Sequence, residues 1–437
     1  MINLQDLFRE SLLKCFESIA GMKILLLDNE TTAFLSVLIT KGQLAEHEIY
    51  LTDYLDSVRE SIPAVKCICF LRPSGSNIDL LCKEFQAPCY SEYHIYFSSF
   101  LKSGDLERLA QADSRYQVIN GLCELFTDAI IPAPNLFSLG LYEITGEQIE
   151  AWSPKHLKRC AASLASLLLA LRVHPQIRFD KSSPMVTALA HQVREIFQVE
   201  RDLFDFRHQN AVLLIVDRRN DLLTPLLKPW TYEAMLDEAF GIKNGRILDK
   251  HHLTDPEDKF YNLNRWTSYG HLATLLNEQA RIVKEHREKN LKQRASVAEM
   301  RRILAEYSDW KAAENHLSKH LDLQELLREI VENESWLQVG EIEQSIACGE
   351  LTTIGTMKEA IAKLSKGKQR FGLIALYCVR YCASPGFRYD EIFNLLQQYG
   401  LADYDGVLKL LIRFAREKEV KSVKRKLPGF SKVYLFF

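Results

Sequence analysis

At 437 residues, 47% hydrophobic, 26% charged and 10% aromatic, the chain has the make-up of folded globular protein and exceeds the size at which one hydrophobic core stops growing, so two or three domains are expected. Its 55 basic and 57 acidic residues leave a formal charge of −2, which excludes a global field for nucleic acid or anionic lipid; membrane contact is expected only through partners. The longest apolar-rich run, 164–171, falls far short of the roughly 20 residues of a spanning helix. The first 16 residues carry Asp6, Arg9, Glu10 and Lys14 where a secretory leader needs an unbroken apolar stretch, so a cytoplasmic protein is expected.

Taken in chain order, residues 3–18 are spaced as an amphipathic helix, and 22–27 form a short apolar run ending in Asp28, as a buried parallel strand does. A helix over 31–39, strands at 48–51 and 67–71, a helix over 77–85 and a strand at 94–97 continue the alternation, which predicts a doubly wound α/β domain. A second α/β round spans about 136–241. Ser153-Pro154 and Pro184 open helices there, 211–216 is the clearest strand in the chain, and 229–240 reads as a helix. From Asp258 on, apolar residues recur every three or four positions and the remainder is predicted helical; its stretch 284–294 (KEHREKNLKQR) is charged on all sides, as a solvated helical tip would be.

Chemistry leaves few marks. There is no G-x-x-x-x-G-K-S/T and no G-x-G-x-x-G after a strand, so nothing lets backbone approach a pyrophosphate. Neither a G-x-S-x-G elbow nor an H-E-x-x-H occurs. The adjacent His251 and His252 and the pair Cys67 and Cys69 have poor geometry for a shared metal, and the ten cysteines sit mostly in apolar segments, which reads as core. No cofactor and no metal is expected. Asp217 and Asp221, at the carboxyl end of the 211–216 strand, would be the carboxylates of an α/β enzyme if there were one; the competing reading is a structural corner in which Asp217, Arg218 and Asp221 pair and cap the turn into Thr224-Pro225.

That same segment carries a resemblance. The run Val216-Asp217-Arg218-Arg219-Asn220-Asp221-Leu222-Leu223-Thr224-Pro225-Leu226-Leu227, followed by Trp230-Thr231-Tyr232-Glu233-Ala234-Met235, strongly resembles the signature of the SM (Sec/Munc, syntaxin-binding) family. Matches at 23–32, 69–73, 94–98, 203–207 and 258–261 extend it over nearly the whole chain, and together they are most similar to the vacuolar protein sorting class of that family.

The resemblance implies a three-domain arch: an α/β domain at 1–132, a second at 133–241, and a mainly helical domain at 242–427 with a helical hairpin. It implies a non-enzymatic binder of syntaxin-type SNAREs that promotes SNARE complex assembly, vesicle docking and membrane fusion between trans-Golgi network and endosomes, peripheral on those membranes. A pure tethering scaffold is the other non-catalytic reading. Family members continue past the point where this sequence stops; residues 428–437 resemble the start of a return that completes the second domain's sheet, and an exposed apolar edge is expected there if strands are missing.

Two sites follow from the resemblance. A pocket for the syntaxin N-terminal peptide is implied at Leu106, Leu109, Leu122 and Glu124, aligned across a one-residue gap, with Leu106 and Leu122 as apolar walls and Glu124 as the acid meeting a basic peptide residue. The same leucines would serve equally as core positions of an amphipathic helix and a strand. A cleft for SNARE helices is implied at Asp28, Glu30, Lys41, Tyr269 and Arg281; helix capping and surface charge explain the first three equally well.

Overall fold

The computed structural model describes residues 3–423 apart from 142–143, 146–150, 207–210, 249–250, 254, 256–257, 293–296, 352, 363 and 365–366, with side chains described outside 286–292, 297–310 and 418–423. The return expected at 428–437 lies outside the described residues. The chain divides into two compact units, Met1–Asp217 with Ile242–Glu257, and Arg218–Gly241 with Asp258–Phe437.

The first unit opens with helix α1 (Leu4–Glu17), strand β1 (Lys23–Leu27), helices α2 (Asn29–Leu38) and α3 (Lys41–Glu46), strands β2 (Ile49–Tyr54) and β3 (Lys66–Leu71), helix α4 (Gly75–Glu84), strand β4 (Tyr93–Phe97), helix α5 (Ser103–Ala112) and strand β5 (Ile119–Glu124). The five strands form one parallel sheet in the order β2-β1-β3-β4-β5. Side chains of a strand alternate between faces, and β1 and β3 are apolar at every position after their first lysine because both faces are covered. Leu25, Leu27, Ile68 and Phe70 pack under Phe8, Leu12 and Phe16 of α1 and Phe34 and Leu38 of α2. Ile24, Leu26, Cys67, Cys69 and Leu71 face the opposite layer with Ile78 and Leu81 of α4 and Leu109 of α5. Cys67 and Cys69 are thus core residues on one face of β3. Helix α3 was not anticipated; its signal is the capping box of Thr40 and Gln43, in which each side chain meets the other's backbone N–H.

The rest of this unit holds the antiparallel pair β6 (Ile130–Ala133) and β7 (Leu136–Ser138), helix α6 (Pro154–Ala170), strand β8 (Gln176–Phe179), helix α7 (Pro184–Val199) and strand β9 (Val212–Ile215), parallel to β8. Pro154 and Pro184 stand in the first turn of their helices; Ser183 caps α7 through its hydroxyl, whereas Ser153 makes no side-chain cap. Leu213 and Ile215 of β9 join the core of α6 and α7, while Val212 and Leu214 face outward. A small antiparallel sheet, β10 (Ile242–Lys243), β11 (Arg246–Ile247) and β12 (His251–His252), is tied to α2 by His252 Nε2 against the Ser36 carbonyl at 3.0 Å.

The second unit is helical: α8 (Tyr232–Phe240), α9 (Lys259–Asn264), α10 (Tyr269–Lys292), α11 (Val297–Asn333), α12 (Trp336–Cys348), α13 (Ile354–Ala362), α14 (Gly367–Tyr381), α15 (Tyr389–Gln398) and α16 (Asp405–Val423). Helix α14 is its axis. Leu373, Ile374, Ala375, Leu376 and Cys378 are all wholly buried, so it is surrounded rather than amphipathic, by α12, α13, α15 and α16. A second knot joins α8, α9 and α11. Asp258, fully buried, caps α9 through the Tyr261 N–H and accepts from Lys319 Nζ at 2.5 Å and His320 Nε2 at 2.8 Å. His320 Nδ1 lies 2.9 Å from the Tyr232 hydroxyl, so the neutral ring donates to Asp258 and accepts from Tyr232. Burial alone would raise the Asp258 carboxyl, but His320 and Lys319 outweigh it and hold it well below the usual carboxylate range.

Candidate partner-binding sites

Strand β5 pairs with β4 alone, so its other edge is open among the described residues. The four residues expected to form a peptide pocket lie on β5 and α5 but do not share one environment. Leu109 is 1% exposed inside the core between α5 and the sheet, because the helix turns that position inward among the apolar side chains of β3 and β4. Leu106, three positions earlier on the helix, stays 47% exposed. Leu122 is half-buried against the same core as Leu109. Glu124, also half-buried, has one carboxylate oxygen fixed by the Leu101 N–H at 2.5 Å, which locks the acid at the end of the strand, beside the loop that leads into α5. Leu106 is the most exposed apolar group of the four.

The cleft residues divide likewise. Asp28 is spent on structure: its side chain accepts from the N–H groups of Thr31 and Arg72, each at 2.7 Å, and from Asn77 Nδ2 at 2.6 Å, fixing the start of α2 to the end of β3 and the start of α4. Glu30 pairs with Arg159 of α6 at 2.5 Å and Arg72 at 3.4 Å. Lys41 is exposed at the first turn of α3. Tyr269 is half-buried at the start of α10, its hydroxyl pKa raised by burial. Arg281 forms exposed pairs with Glu278 and Glu285 along α10, which solvent screens. The charged stretch 284–294 runs along the end of α10, and its residues 293–294 lie outside the described residues.

Open α/β sheets hold ligands in the crevice at the carboxyl ends of the strands where the order reverses, here between β1 and β3. That crevice is filled by the chain itself. Asp128, wholly buried, accepts from Arg159 Nη1 at 2.5 Å, Ser163 Oγ at 2.7 Å and Ser98 Oγ at 3.1 Å, and Arg72 lies 3.5 Å from it. Burial draws the Arg72 guanidinium below its ordinary pKa while Asp128 opposes the shift. With Asp28 and Glu30 alongside, the charges offset one another: Arg72 Nε makes no hydrogen bond but stands 3.4 Å from Glu30 and 3.5 Å from Asp128, so two acids already occupy the place a phosphate would take. Arg159 and Asp128 were not anticipated as a junction. The available signal was a lone arginine in the small, apolar face of α6.

Asp217 accepts from the Ser183 hydroxyl, and Asp221 from the N–H groups of Leu223 and Thr224 at 3.2 and 3.0 Å; the Thr224 bonds hold its pKa down. The corner is therefore built from turn and cap hydrogen bonds. Among the described residues no three His, Cys, Asp or Glu side chains gather as a metal site, and no helix is long and apolar enough to cross a membrane.

The Sec1 family model matches residues 23–432. Vacuolar protein sorting-associated protein 45 of Schizosaccharomyces pombe is 33% identical over 383 residues, 84% of this chain and 68% of the relative, and that of Rattus norvegicus is 35% identical over 342 residues, 75% of this chain and 60% of the relative. The chain thus spans about two thirds or less of the length of these relatives. A solved structure of the SM protein Vps45 in complex with the Qa SNARE Tlg2 is 32% identical and superposes with a TM-score of 0.86 over 95% of this chain and 79% of that one.

Proposed function

The chain belongs to the Sec1 family, and from that premise we propose that it binds a syntaxin-type SNARE and promotes SNARE complex assembly, serving vesicle docking and membrane fusion between the trans-Golgi network and endosomes. The observation that carries this reading is its likeness, over nearly the whole chain, to a Vps45 solved with a Qa SNARE. The protein acts as a binding surface rather than a catalyst, in the cytoplasm and at Golgi and endosomal membranes through its partner. A three-part division at 1–132, 133–241 and 242–427 is retained within this proposal. The syntaxin N-terminal peptide is received at Leu106 with Leu122 and Glu124 beside it; SNARE helices are contacted by Lys41 and Glu30 of the first unit, where Asp28 fixes the start of α2, and by Tyr269 and Arg281 of the second. An apolar anchor with one oriented charge is how a short peptide gains affinity from a small area.

Calorimetry of the purified chain against the cytosolic part of a syntaxin carrying its N-terminal peptide tests the proposal. Saturable binding that weakens on reversing Lys41, together with faster SNARE assembly, is expected; a folded chain that binds no syntaxin and leaves assembly unchanged sinks it. Titration with nucleotide or divalent metal serves as the control for catalysis, and no heat is expected.

A further inference from the structure

Inside the helical unit, between the 225–229 loop, α8, the end of α11, α12 and α14, lies a cavity of about 480 Å³, within the roughly 300–1,000 Å³ of small-molecule sites. Leu226, Pro229, Trp336 and Phe371 give it apolar walls. Glu343 of α12 also lines it. This side chain is 6% exposed, and one oxygen accepts the Lys228 N–H at 2.8 Å. Among the described residues no protein donor meets the other oxygen, so a buried carboxylate is half-satisfied at the edge of an apolar space, the kind of vacancy that costs free energy until a donor fills it.

The surrounding charges say which donor. Lys368 of α14 is paired with Glu238 of α8 at 3.1 Å, and the Lys228 ammonium stands over the Trp336 ring, 4.4 Å from its centroid. Glu334, at the end of α11, accepts from Trp336 Nε1 and Gln369 Nε2. Two lysines thus face three glutamates, and the lining carries one net negative charge when Glu343 is ionised. An anion is repelled, and an uncharged apolar molecule leaves the carboxylate unmet.

We propose that this cavity binds an ammonium group on a short apolar stem, the cation meeting the free oxygen of Glu343 and the stem lying against Trp336 and Phe371. The chemistry is shared by the lysine side chain of a bound polypeptide and by a free alkylamine. Burial pushes the Glu343 carboxyl up to about 7, Glu238 adds to this, and the Lys228 N–H and ammonium oppose it. The empty site therefore holds a proton near neutrality, and a cation displaces it. Because binding requires the ionised acid, affinity rises with pH through this range.

The experiment is calorimetry of the full chain with n-hexylammonium chloride and with a blocked Leu-Lys-Leu tripeptide, at pH about 8 and about 6, in buffers of different ionisation enthalpy. Saturable binding at the higher pH, weaker by about tenfold at the lower and accompanied by proton release, is expected from at least one probe. Tighter binding of the tripeptide assigns the site to a polypeptide lysine, and tighter binding of the amine assigns it to a free ligand. Glu343→Gln keeps an acceptor for the Lys228 N–H and should lose both the pH dependence and about tenfold in affinity. Gly372→Leu supplies a second variant: a Cβ there meets nothing within 4 Å, so the side chain occupies open space and should block binding without Glu343 being touched. No saturable heat from either probe, equal affinity at both pH values, or binding that survives in the folded variants overturns the proposal. None of these outcomes depends on whether the chain binds syntaxin.

Discussion

Truncation of Leu106 to alanine tests the peptide site at the residue that is open to a ligand. Burying a whole leucine side chain gains roughly 1.5–3 kcal/mol. With 47% of Leu106 exposed, a peptide covering the open part gains about 1 kcal/mol from it, which is a loss of roughly fivefold in Kd on truncation. Leu106→Asp should lose more, because a carboxylate then enters the covered surface. Neither change removes core packing, so circular dichroism melts should stay close to those of the unaltered protein. Leu109→Ala is the internal contrast. That residue is 1% exposed, and its truncation should cost about 2–5 kcal/mol of folding stability. Leu122→Arg is a poor test, since it forces a guanidinium against the same core. The assay is calorimetric titration with the isolated N-terminal peptide of a syntaxin, beside thermal melts of each variant. If folded Leu106→Ala and Leu106→Asp both bind the peptide as the parent does, the peptide docks elsewhere and the site assignment is refuted.

Asp258→Ala should destabilise the helical unit by about 3–5 kcal/mol, because Lys319 and His320 lose the buried acid between them; a melting temperature lowered by only a degree or two would show that water takes over the role. Burial holds the His320 ring below its ordinary pKa, so the unfolded chain takes up that proton first as pH falls through about 6.5, and Asp258, held down in the fold, adds a further loss below about 4. Urea midpoints should therefore decline from neutral pH to about 5.5; a flat profile would contradict the neutral, buried ring. Gly340→Ala on α12 sets two effects against each other: helix propensity gains about 1 kcal/mol, but the new Cβ would stand 2.6 Å from Cζ2 of Trp230. A net loss of stability is expected, and a raised melting temperature would show that the indole moves aside.

The α/β start was legible because β1 and β3 are short, apolar at every position after their first lysine and spaced by amphipathic segments, and that pattern has one economical solution. Helix ends were legible where Pro154, Pro184 and Asp28 stand in their capping positions. Short α3 was not, since six residues cannot establish a period. The same limit applies to the sites. Leu106 and Leu109 are both apolar positions of one amphipathic helix, and sequence spacing does not say which of them lies on the boundary of the buried stripe; only the packing of α5 against the sheet decides it. Long-range polar junctions were illegible for another reason. Arg159 and Asp128 are 31 positions apart and His320 and Asp258 are 62 apart, so nothing local pairs them. Nothing local marks Glu343 either, since the N–H that meets its carboxylate belongs to Lys228, 115 positions earlier.

The junction at Asp128 sets an order of events during synthesis. The five strands of the first sheet and Asp128 emerge from the ribosome before Arg159, and the interval of 31 residues corresponds to roughly 2–6 s at the usual rates of elongation. Through that interval Asp128 has Arg72 and Ser98 beside it but neither the Arg159 guanidinium nor the Ser163 hydroxyl, so water must stand in for those two donors. Arrival of α6 expels the stand-in and seals the seam. A nascent chain arrested before residue 159 should accordingly fold more weakly than one arrested after α6 has cleared the exit tunnel, even though every strand of the sheet is already present in both.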